Sequence, residues 1–277
     1  MLRIERDGRI ATIWLDHAPM NLLDIELMLA LDGATAELAA DDGVSVVVLR
    51  SAVPGWFIAH ADVALLLQLD PSTSGPPAEG VGFFHLMIER LRTMPKLVIA
   101  AIEGIARGGG SEVALSCDVR IASTDAVLGQ PEVALGILPG GGGTQRLPRL
   151  VGRARALEVV LGCDDVDGAT AERWGWVNRA LPPVEVGPFV DRLAARVASY
   201  PPEAVAEAKA AVDAALADPV PGLRAESSGF ATLLGSAEGR RRMQGFLDGG
   251  GQTTAVEGDQ ERFGALLDSL GISPSAS

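Results

Sequence analysis

The stretch that decides the fold is KLVIAAIEGIARGGGSEVALSCDVRIAS, residues 96–123. It opens on an apolar run, Leu97 to Ile102, that has the length and composition of a buried strand, and it closes on a second such run, Val119 to Ala122. Between them a glycine-rich turn gives way to apolar residues at helical spacing, which predicts a helix that begins near Gly109 or Gly110. Strand, helix and strand in this order are typical of an α/β fold.

The segments before this stretch contain the same kinds of element. Asp7-Gly8 lies between two segments of alternating polarity and predicts a β-hairpin, and Asp24 precedes apolar residues at helical spacing, which predicts a capped helix. We expect strands at 2–6, 9–15, 44–49 and 57–58, and helices at 24–40, from 62 onward and at 81–92. The chain therefore opens as strand, strand, helix, strand, strand, helix within one α/β domain.

The C-terminal part has a different pattern. After Gly143 the sequence is mostly helical, and only 176–181 interrupts it. Residues 70–80 have loop composition, and we interpret the stretch after Asp248 as a linker before one last short helix near 261–270. We therefore divide the chain into a core at 1–200, a C-terminal helical region at 201–248 and a partly flexible tail at 249–277.

Composition narrows the classes of function. The net charge of -13 argues against a nucleic-acid partner, and no apolar run approaches the roughly 18 residues that a membrane span needs. The N-terminus has no signal-peptide pattern, and Cys117 and Cys163 are far apart in sequence, so we expect unpaired thiols and a cytoplasmic protein. An anionic ligand would need a local positive patch or backbone N–H groups.

Several common active-site motifs are absent from the sequence. Neither Lys96 nor Lys209 follows a glycine, so there is no GxxxxGK loop, and GxGxxG is missing too. Ser111 lacks the second glycine of a GxSxG nucleophile, and without an HExxH motif we expect no metal site. What remains is Glu112 in GGGSEVAL and Glu132 in LGQPEVALG. Each could be an ordinary surface or helix-end acid, because spacing alone does not bring the two side chains together.

Residues 96–158 closely resemble the crotonase superfamily, also called the enoyl-CoA hydratase/isomerase family. GGGSE, GQPEVALG and PGGGGTQRL occur in the order and spacing of that family, and the resemblance covers residues 1 to about 248. It implies an α/β fold, a spiral of ββα repeats with a helical C-terminal trimerisation region. It also implies that the chain assembles as a homotrimer or as a dimer of trimers.

The resemblance implies a site for an acyl-CoA thioester, with no cofactor because coenzyme A is part of the substrate. The backbone N–H groups of Ala61, in FIAHAD, and of Gly109 would form an oxyanion hole that stabilises a thioester enolate. Glu112 would orient and deprotonate the water that attacks Cβ, and Glu132 would deliver the proton to Cα. The remaining substrate-binding positions that the resemblance implies are Met20, Leu22, Ala59, His60, Asp62, Val63, Gly108, Gly110, Pro139 and Gly140.

Three departures from the family's pattern concern the substrate. His60 stands where glycine is usual, and it either fills only the backbone role of glycine or adds a polar group beside the thioester. We expect the backbone role, since histidine tolerates positive φ better than most residues. HAPMN, residues 17–21, lacks the basic residue that relatives often carry there, and FLDGGGQTT, residues 246–254, replaces the usual basic tail. The phosphates of coenzyme A must therefore be held elsewhere or more weakly.

Three functions remain open on this basis. The leading one is hydration of a 2-enoyl-CoA, because family members with this activity keep both glutamate positions, here Glu112 and Glu132. The alternative within the family is double-bond isomerisation with Glu132 as the proton shuttle, or another reaction of an acyl-CoA. The alternative from another class is a non-catalytic scaffold subunit, which would have no need of the two glutamates and the glycine turn.

Overall fold

Strands and helices alternate in the N-terminal half of the chain. The structure, a computed structural model, describes residues 2–69, 82–216, 218 and 220–270. The loop predicted at 70–80 and the helix start predicted at Val81 lie outside the described residues. The elements of this half are β1 (Leu2–Asp7), β2 (Ile10–Leu15), α1 (Ile25–Ala40), β3 (Val46–Ser51), β4 (Trp56–Ile58), α2 (Val63–Gln68), α3 (Phe83–Thr93), β5 (Leu97–Ile102), β6 (Ile105–Arg107), α4 (Gly109–Leu115), β7 (Val119–Ser123) and β8 (Val127–Gly129).

The local signals of this half are confirmed. β1 and β2 form the predicted antiparallel hairpin, with Leu2 opposite Leu15. The carboxylate of Asp24 accepts a hydrogen bond from the Leu27 N–H at 2.8 Å, so it caps α1 as predicted. Asp62 caps α2 in the same way, accepting from the Ala64 N–H at 2.9 Å.

The C-terminal half is mostly helical, as predicted. Two strands were not predicted, β9 in this half and β6 in the N-terminal half, because each is a run of two or three residues that contains a charged side chain and adjoins a glycine. The elements of this half are α5 (Gly143–Val151), α6 (Arg153–Gly162), β9 (Val166–Asp167), α7 (Gly168–Trp174), β10 (Arg179–Leu181), α8 (Pro183–Ala198), α9 (Pro202–Ala214), α10 (Val220–Leu234), α11 (Ala237–Asp248), α12 (Thr254–Glu257) and α13 (Gln260–Ser269).

Successive strands enter two different sheets, which produces the spiral of ββα repeats. The larger sheet has the order β1-β2-β3-β5-β7-β10, and the smaller has the order β4-β6-β8-β9. In the pairs β3/β4, β5/β6 and β7/β8 the first strand joins the larger sheet and the second joins the smaller. Strands of neighbouring repeats are parallel, and their continuous apolar sequences fit burial on both faces.

The main hydrophobic core lies between the two sheets. Leu49 and Val98 of the larger sheet belong to the same buried cluster as Phe57 and Leu128 of the smaller sheet, and Val113 brings α4 into it. A second cluster packs α8 on the other face of the larger sheet. Helix α4 is therefore held at the centre of the molecule, which fixes the position of the glycine turn before it.

The stretch after Asp248 is packed on the rest of the protein, so our interpretation of its first residues as a linker is wrong. Residues 254–257 form α12, and the side chain of Glu257 is completely buried. On α13, Phe263 is 2% exposed and packs in one cluster with Met243 and Phe246 of α11. Apolar residues and one buried glutamate thus fasten this segment, although its glycine-rich sequence has linker composition.

Candidate active site

The backbone N–H groups of Ala61 and Gly109 lie side by side. A methyl group placed on Gly109 would be only 3.3 Å from the nitrogen of Ala61. Glycine at 109 therefore leaves room for an atom between the two N–H groups, which a side chain would occupy. The structure thus brings together the two positions that the sequence assigns to the oxyanion hole.

Both N–H groups are free to bind a ligand oxygen. Leu23 donates its N–H to the carbonyl of His60 at 2.9 Å and accepts from the Asp62 N–H at 3.1 Å, so the chain on either side of Ala61 is tied down. Within the part of the chain that the structure describes, the Ala61 N–H itself has no acceptor. Gly109 is the first residue of α4, where N–H groups have no partner inside the helix.

Glu112 is a buried carboxyl held by the glycine loop before α5. It is 2% exposed and accepts hydrogen bonds from the N–H groups of Gly141 at 2.7 Å and Gly143 at 2.8 Å. Burial raises the pKa of Glu112 well above its usual range, and the negative charges of Glu132 and Glu226 raise it further. The two N–H donors oppose this shift because they favour the ionised carboxylate.

Glu132 is the second buried carboxyl of the site. It is 8% exposed, and burial raises its pKa to about 8. A methyl group on Gly108, which has φ +47°, would lie 2.7 Å from Oε1 of Glu132, so this carboxyl sits directly beside the glycine turn. Glu132 is thus a buried carboxyl of raised pKa next to Gly108 and Gly109.

Gln130 lies between the two carboxyls. In the amide orientation that satisfies both of its ends, Gln130 donates to Glu132 at 3.1 and 3.2 Å and accepts from the Ser111 hydroxyl at 3.3 Å. A methyl group on Gly143 would touch both Glu112, at 2.9 Å, and the Gln130 amide, at 3.1 Å. The structure therefore brings Glu112 and Glu132 into one buried group, which the sequence spacing alone left open.

Glu226 of α10 supports the loop that holds Glu112, and sequence reasoning missed it. Its buried carboxylate accepts from the N–H groups of Gly142 and Thr144, from the Thr144 hydroxyl, and from His85 Nε2 at 2.9 Å. Its sequence surroundings are those of an ordinary amphipathic helix, so no local signal pointed to it. Only the fold, which brings α10 against the start of α5, reveals the contact.

His60 does more than replace the backbone of a glycine, so that expectation is wrong. Its φ is not positive, and its ring is buried. Ring atom Nδ1 lies 2.8 Å from the carbonyl of Ala61, and Nε2 lies 2.9 Å from Oε1 of Glu257. Burial lowers the pKa of His60, but the charge of Glu257 and its hydrogen bond outweigh burial, so the pKa is above its ordinary value.

A small cavity of about 40 Å³ adjoins Glu132 and the two oxyanion positions. Of the predicted substrate-binding positions, His60, Val63 and Gly108 line it. Gly110 lies against the carbonyl of Ile58, where a side chain would collide. The remaining predicted positions, which do not line this cavity of the described chain, are Met20, Leu22, Ala59, Asp62, Pro139 and Gly140. Whether these residues contact a longer substrate stays a prediction.

The thiols are unsuited to catalysis here. Cys117 and Cys163 are both free, and burial raises the pKa of Cys117 to about 12, so it stays protonated. Among the described residues no group of three histidine, cysteine, aspartate or glutamate side chains could hold a metal ion. Nor does any helix in those ranges have the length and apolar character to cross a membrane.

A ββα spiral that places two buried carboxyls beside two free N–H groups defines a crotonase-type site. The chain belongs to the enoyl-CoA hydratase/isomerase family, whose model matches residues 5–251. The match ends before the C-terminal segment that carries Glu257.

Similar proteins cover most of the chain. It is 34% identical over 250 residues to the short-chain-enoyl-CoA hydratase of Clostridium acetobutylicum, covering 88% of this chain and 94% of the relative. The crotonyl-CoA hydratase of Syntrophomonas wolfei is 34% identical over 248 residues, with the same coverage of 88% and 94%. A provisionally named enoyl-CoA hydratase from Streptomyces avermitilis has a crystal structure that matches with a TM-score of 0.88 and 38% identity over 97% of each chain.

Proposed function

We propose that this protein is an enoyl-CoA hydratase, which adds water reversibly and in syn fashion across the double bond of a 2-enoyl-CoA thioester. The observation that carries the proposal is the pairing of two buried carboxyls with the adjacent N–H groups of Ala61 and Gly109. Hydration needs a base for water, a proton donor for Cα and a stabilised enolate oxygen, and these groups meet all three needs.

The proposed roles follow the family resemblance, which gives Glu112 the role of base. Burial raises the pKa of Glu112, and the two backbone N–H bonds that it accepts favour the ionised form in which it orients the water and takes its proton. Glu132, with a pKa of about 8, is protonated at neutral pH and gives its proton to Cα. Ala61 and Gly109 hold the thioester oxygen as charge develops on it. Dehydration reverses each step.

A short acyl chain is the first substrate class that we propose to test. Phe246 and Phe263 line the cavity beside His60, which has a volume of about 40 Å³. Relatives at 34% identity act, by their names, on short-chain enoyl-CoA and crotonyl-CoA. Crotonyl-CoA is therefore the first substrate to test, and coenzyme A enters as part of it, with no separate cofactor.

Double-bond isomerisation is the second candidate, and one observation favours it. Glu132 lines the small cavity, whereas Glu112 does not, so a reaction with Glu132 as the lone proton shuttle also fits the described residues. The test is to assay the purified protein on crotonyl-CoA, longer 2-enoyl-CoAs and 3-enoyl-CoAs. Hydration of the 2-enoyl substrates supports the proposal. Conversion of 3-enoyl-CoA without hydration would show that the protein is an isomerase instead. The absence of turnover in every assay would favour the non-catalytic scaffold subunit.

We also propose a trimer or a dimer of trimers in the cytoplasm. Val212 and Leu216 are 67% and 61% exposed beside an open groove of about 990 Å³, and such apolar exposure favours an interface. Leu223 and Phe230, two further apolar residues of the C-terminal helical region, pack instead within this chain. The two free cysteines fit a reducing compartment.

A further inference from the structure

The C-terminal segment, residues 249–270, delivers a glutamate to the oxyanion loop. Glu257 lies at the end of α12, beyond the residues that match the family, and its side chain is completely buried. It reaches His60, which is 197 positions away in sequence. The contact joins the histidine at position 60, where glycine is usual in the family, to the segment after residue 251, which lies outside the residues that the family model matches.

The two contacts of the His60 ring define its charge. The Ala61 carbonyl and the Glu257 carboxylate can only accept hydrogen bonds, at 2.8 and 2.9 Å. Oε1 of Glu257 accepts from the Gln252 N–H at 2.9 Å as well as facing His60, and Arg107 lies 3.5 Å from Oε2, so both oxygens are placed as acceptors of an ionised carboxylate. Burial raises the pKa of Glu257, but the charge of His60, the hydrogen bonds with His60 and Gln252, and the charge of Arg107 hold it below the usual range. Each ring nitrogen must then donate a proton, so His60 is an imidazolium.

Neighbouring groups balance this buried charge. Arg107 donates to the Glu257 carbonyl at 2.9 Å and lies 3.5 Å from its carboxylate. Arg107 also forms a two-bond ion pair with Asp165, at 2.7 and 2.6 Å. Two positive groups, His60 and Arg107, thus face two negative ones, Glu257 and Asp165. The attraction between opposite charges offsets part of the cost of removing His60, Arg107 and Glu257 from water, while Asp165 is only partly buried.

His60 stands between this cluster and the catalytic groups. Its backbone carbonyl accepts from Leu23, and its ring donates to the carbonyl of Ala61, so the residue that carries the oxyanion N–H is held on both sides. A methyl group on Gly108 would lie 2.7 Å from Oε1 of Glu132 and 3.5 Å from Cβ of His60. His60 is thus next to Glu132 as well as to Ala61.

We propose that His60 is a positioning residue: held as an imidazolium by Glu257, it fixes Ala61 in the oxyanion hole and sets a positive charge beside Glu132. Its effect on catalysis rests on the proposed function, whereas its charge state does not. Among the described residues, the titratable or charged groups that face His60 are Glu257 of α12, Arg107 of β6 and Glu132 after β8. The positive charge lowers the pKa of Glu132 and opposes the effect of burial.

Nuclear magnetic resonance of protein with ¹⁵N-labelled histidine tests the charge state directly. His60 is identified among the three histidines by the signal lost in His60→Gln. We expect wild-type His60 to stay doubly protonated at about pH 7.5, above the ordinary histidine pKa of about 6.5. At the same pH we expect His60 to lose its second ring proton in Glu257→Gln. We expect it to keep that proton in Glu261→Gln, a control substitution at an exposed position of the same segment. A singly protonated His60 in the wild type, or one unaffected by Glu257→Gln, overturns the proposal.

Kinetics test the positioning role. We expect His60→Gln and Glu257→Gln to lower kcat for hydration by about tenfold to a hundredfold with a smaller change in KM, because a donor aimed at the transition state is displaced. In His60→Gln the limb of the pH profile that Glu132 sets should move to higher pH, because the positive charge that lowers the pKa of Glu132 is gone. A loss of rigidity around Ala61 alone would not cause this shift. Unchanged kcat and an unmoved limb would overturn the positioning role. If the wild type hydrates no enoyl-CoA, the proposed function fails, while the histidine spectrum still decides the charge state.

Discussion

The carboxylate of Glu112 accepts a hydrogen bond from the backbone N–H of Gly141 at 2.7 Å, so the glycine loop before α5 orients the group assigned as the base. The same carboxylate oxygen accepts from Gly143 at 2.8 Å. The run PGGGG, residues 139–143, therefore forms a turn and also holds the side chain of Glu112 in place. Its glycines leave space that the carboxyl group occupies.

Gly141→Ala should displace Glu112. The added methyl group would lie 2.6 Å from Oε2 of Glu112 and would collide with Phe84, so the carboxyl must move. We expect hydration to fall at least about tenfold, since small displacements of reacting groups are costly. The matched control is Gly264→Ala on α13, where the methyl group meets no atom within 4 Å. Equal activity of the two variants would contradict the role of the loop.

The stability of the protein should fall as the pH rises from about 4.5 to about 8. The carboxyl of Glu132 has a usual pKa of 4.5 and a pKa of about 8 in the folded state, so only the unfolded chain loses the proton in this range. The free energy of unfolding then drops by up to about 1.4 kcal/mol per pH unit for this group. Glu132→Gln should reduce that slope, whereas the exposed Glu158→Gln should not. Denaturant unfolding at several pH values measures the slope of the free energy of unfolding against pH. Equal slopes in the wild type and in Glu132→Gln would show that Glu132 does not keep its proton in the folded protein over this range.

Glu226→Gln should destabilise the fold around the glycine loop. The carboxylate accepts from Gly142, Thr144 and His85, and an amide cannot replace every one of these acceptor contacts. We expect the free energy of unfolding to fall by about 1–3 kcal/mol. Glu207→Gln, an exposed position on the neighbouring α9, serves as the control. Unchanged unfolding midpoints in both variants would show that Glu226 does not support the loop.

The exposed apolar residues of the α9 region should mediate assembly. We expect the wild type to sediment as a trimer or hexamer at micromolar concentration, and Val212→Asp combined with Leu216→Asp to shift it toward the monomer, because charges would enter an apolar interface. Leu161→Asp, at a side chain 62% exposed on α6, is the control. A monomeric wild type would rule out the proposed assembly.

Short-range sequence signals predicted the elements that carry the site. Asp24 before an apolar helical period predicted α1, and the glycine turn before Val113 predicted the start of α4 at Gly109. These signals depend only on residues that are adjacent in sequence, so they can be recognised without knowing the fold. Placing Glu112, Glu132 and Ala61 in one site required the resemblance to a family, since their distances depend on how β4, β6 and α4 pack.

The supporting residues could not be predicted in the same way. Glu226 and Glu257 contact groups that are 82 or more positions away in sequence, and each sits in a helix of ordinary composition. The stretch 249–251 is three glycines, which has linker composition, yet Glu257 and Phe263 anchor the segment that follows. His60 shows the same limit: its departure from the family's glycine was visible, but its partner was not.

The rate of crotonyl-CoA hydration by Glu112→Gln, relative to the wild type, tests the central claim most directly. The substitution keeps the size of the side chain and removes the base, so hydration should fall by at least about 10²-fold while the fold stays intact. A circular dichroism spectrum like that of the wild type would establish the intact fold. A folded Glu112→Gln variant that hydrates crotonyl-CoA at a near-normal rate would contradict the two-carboxyl mechanism.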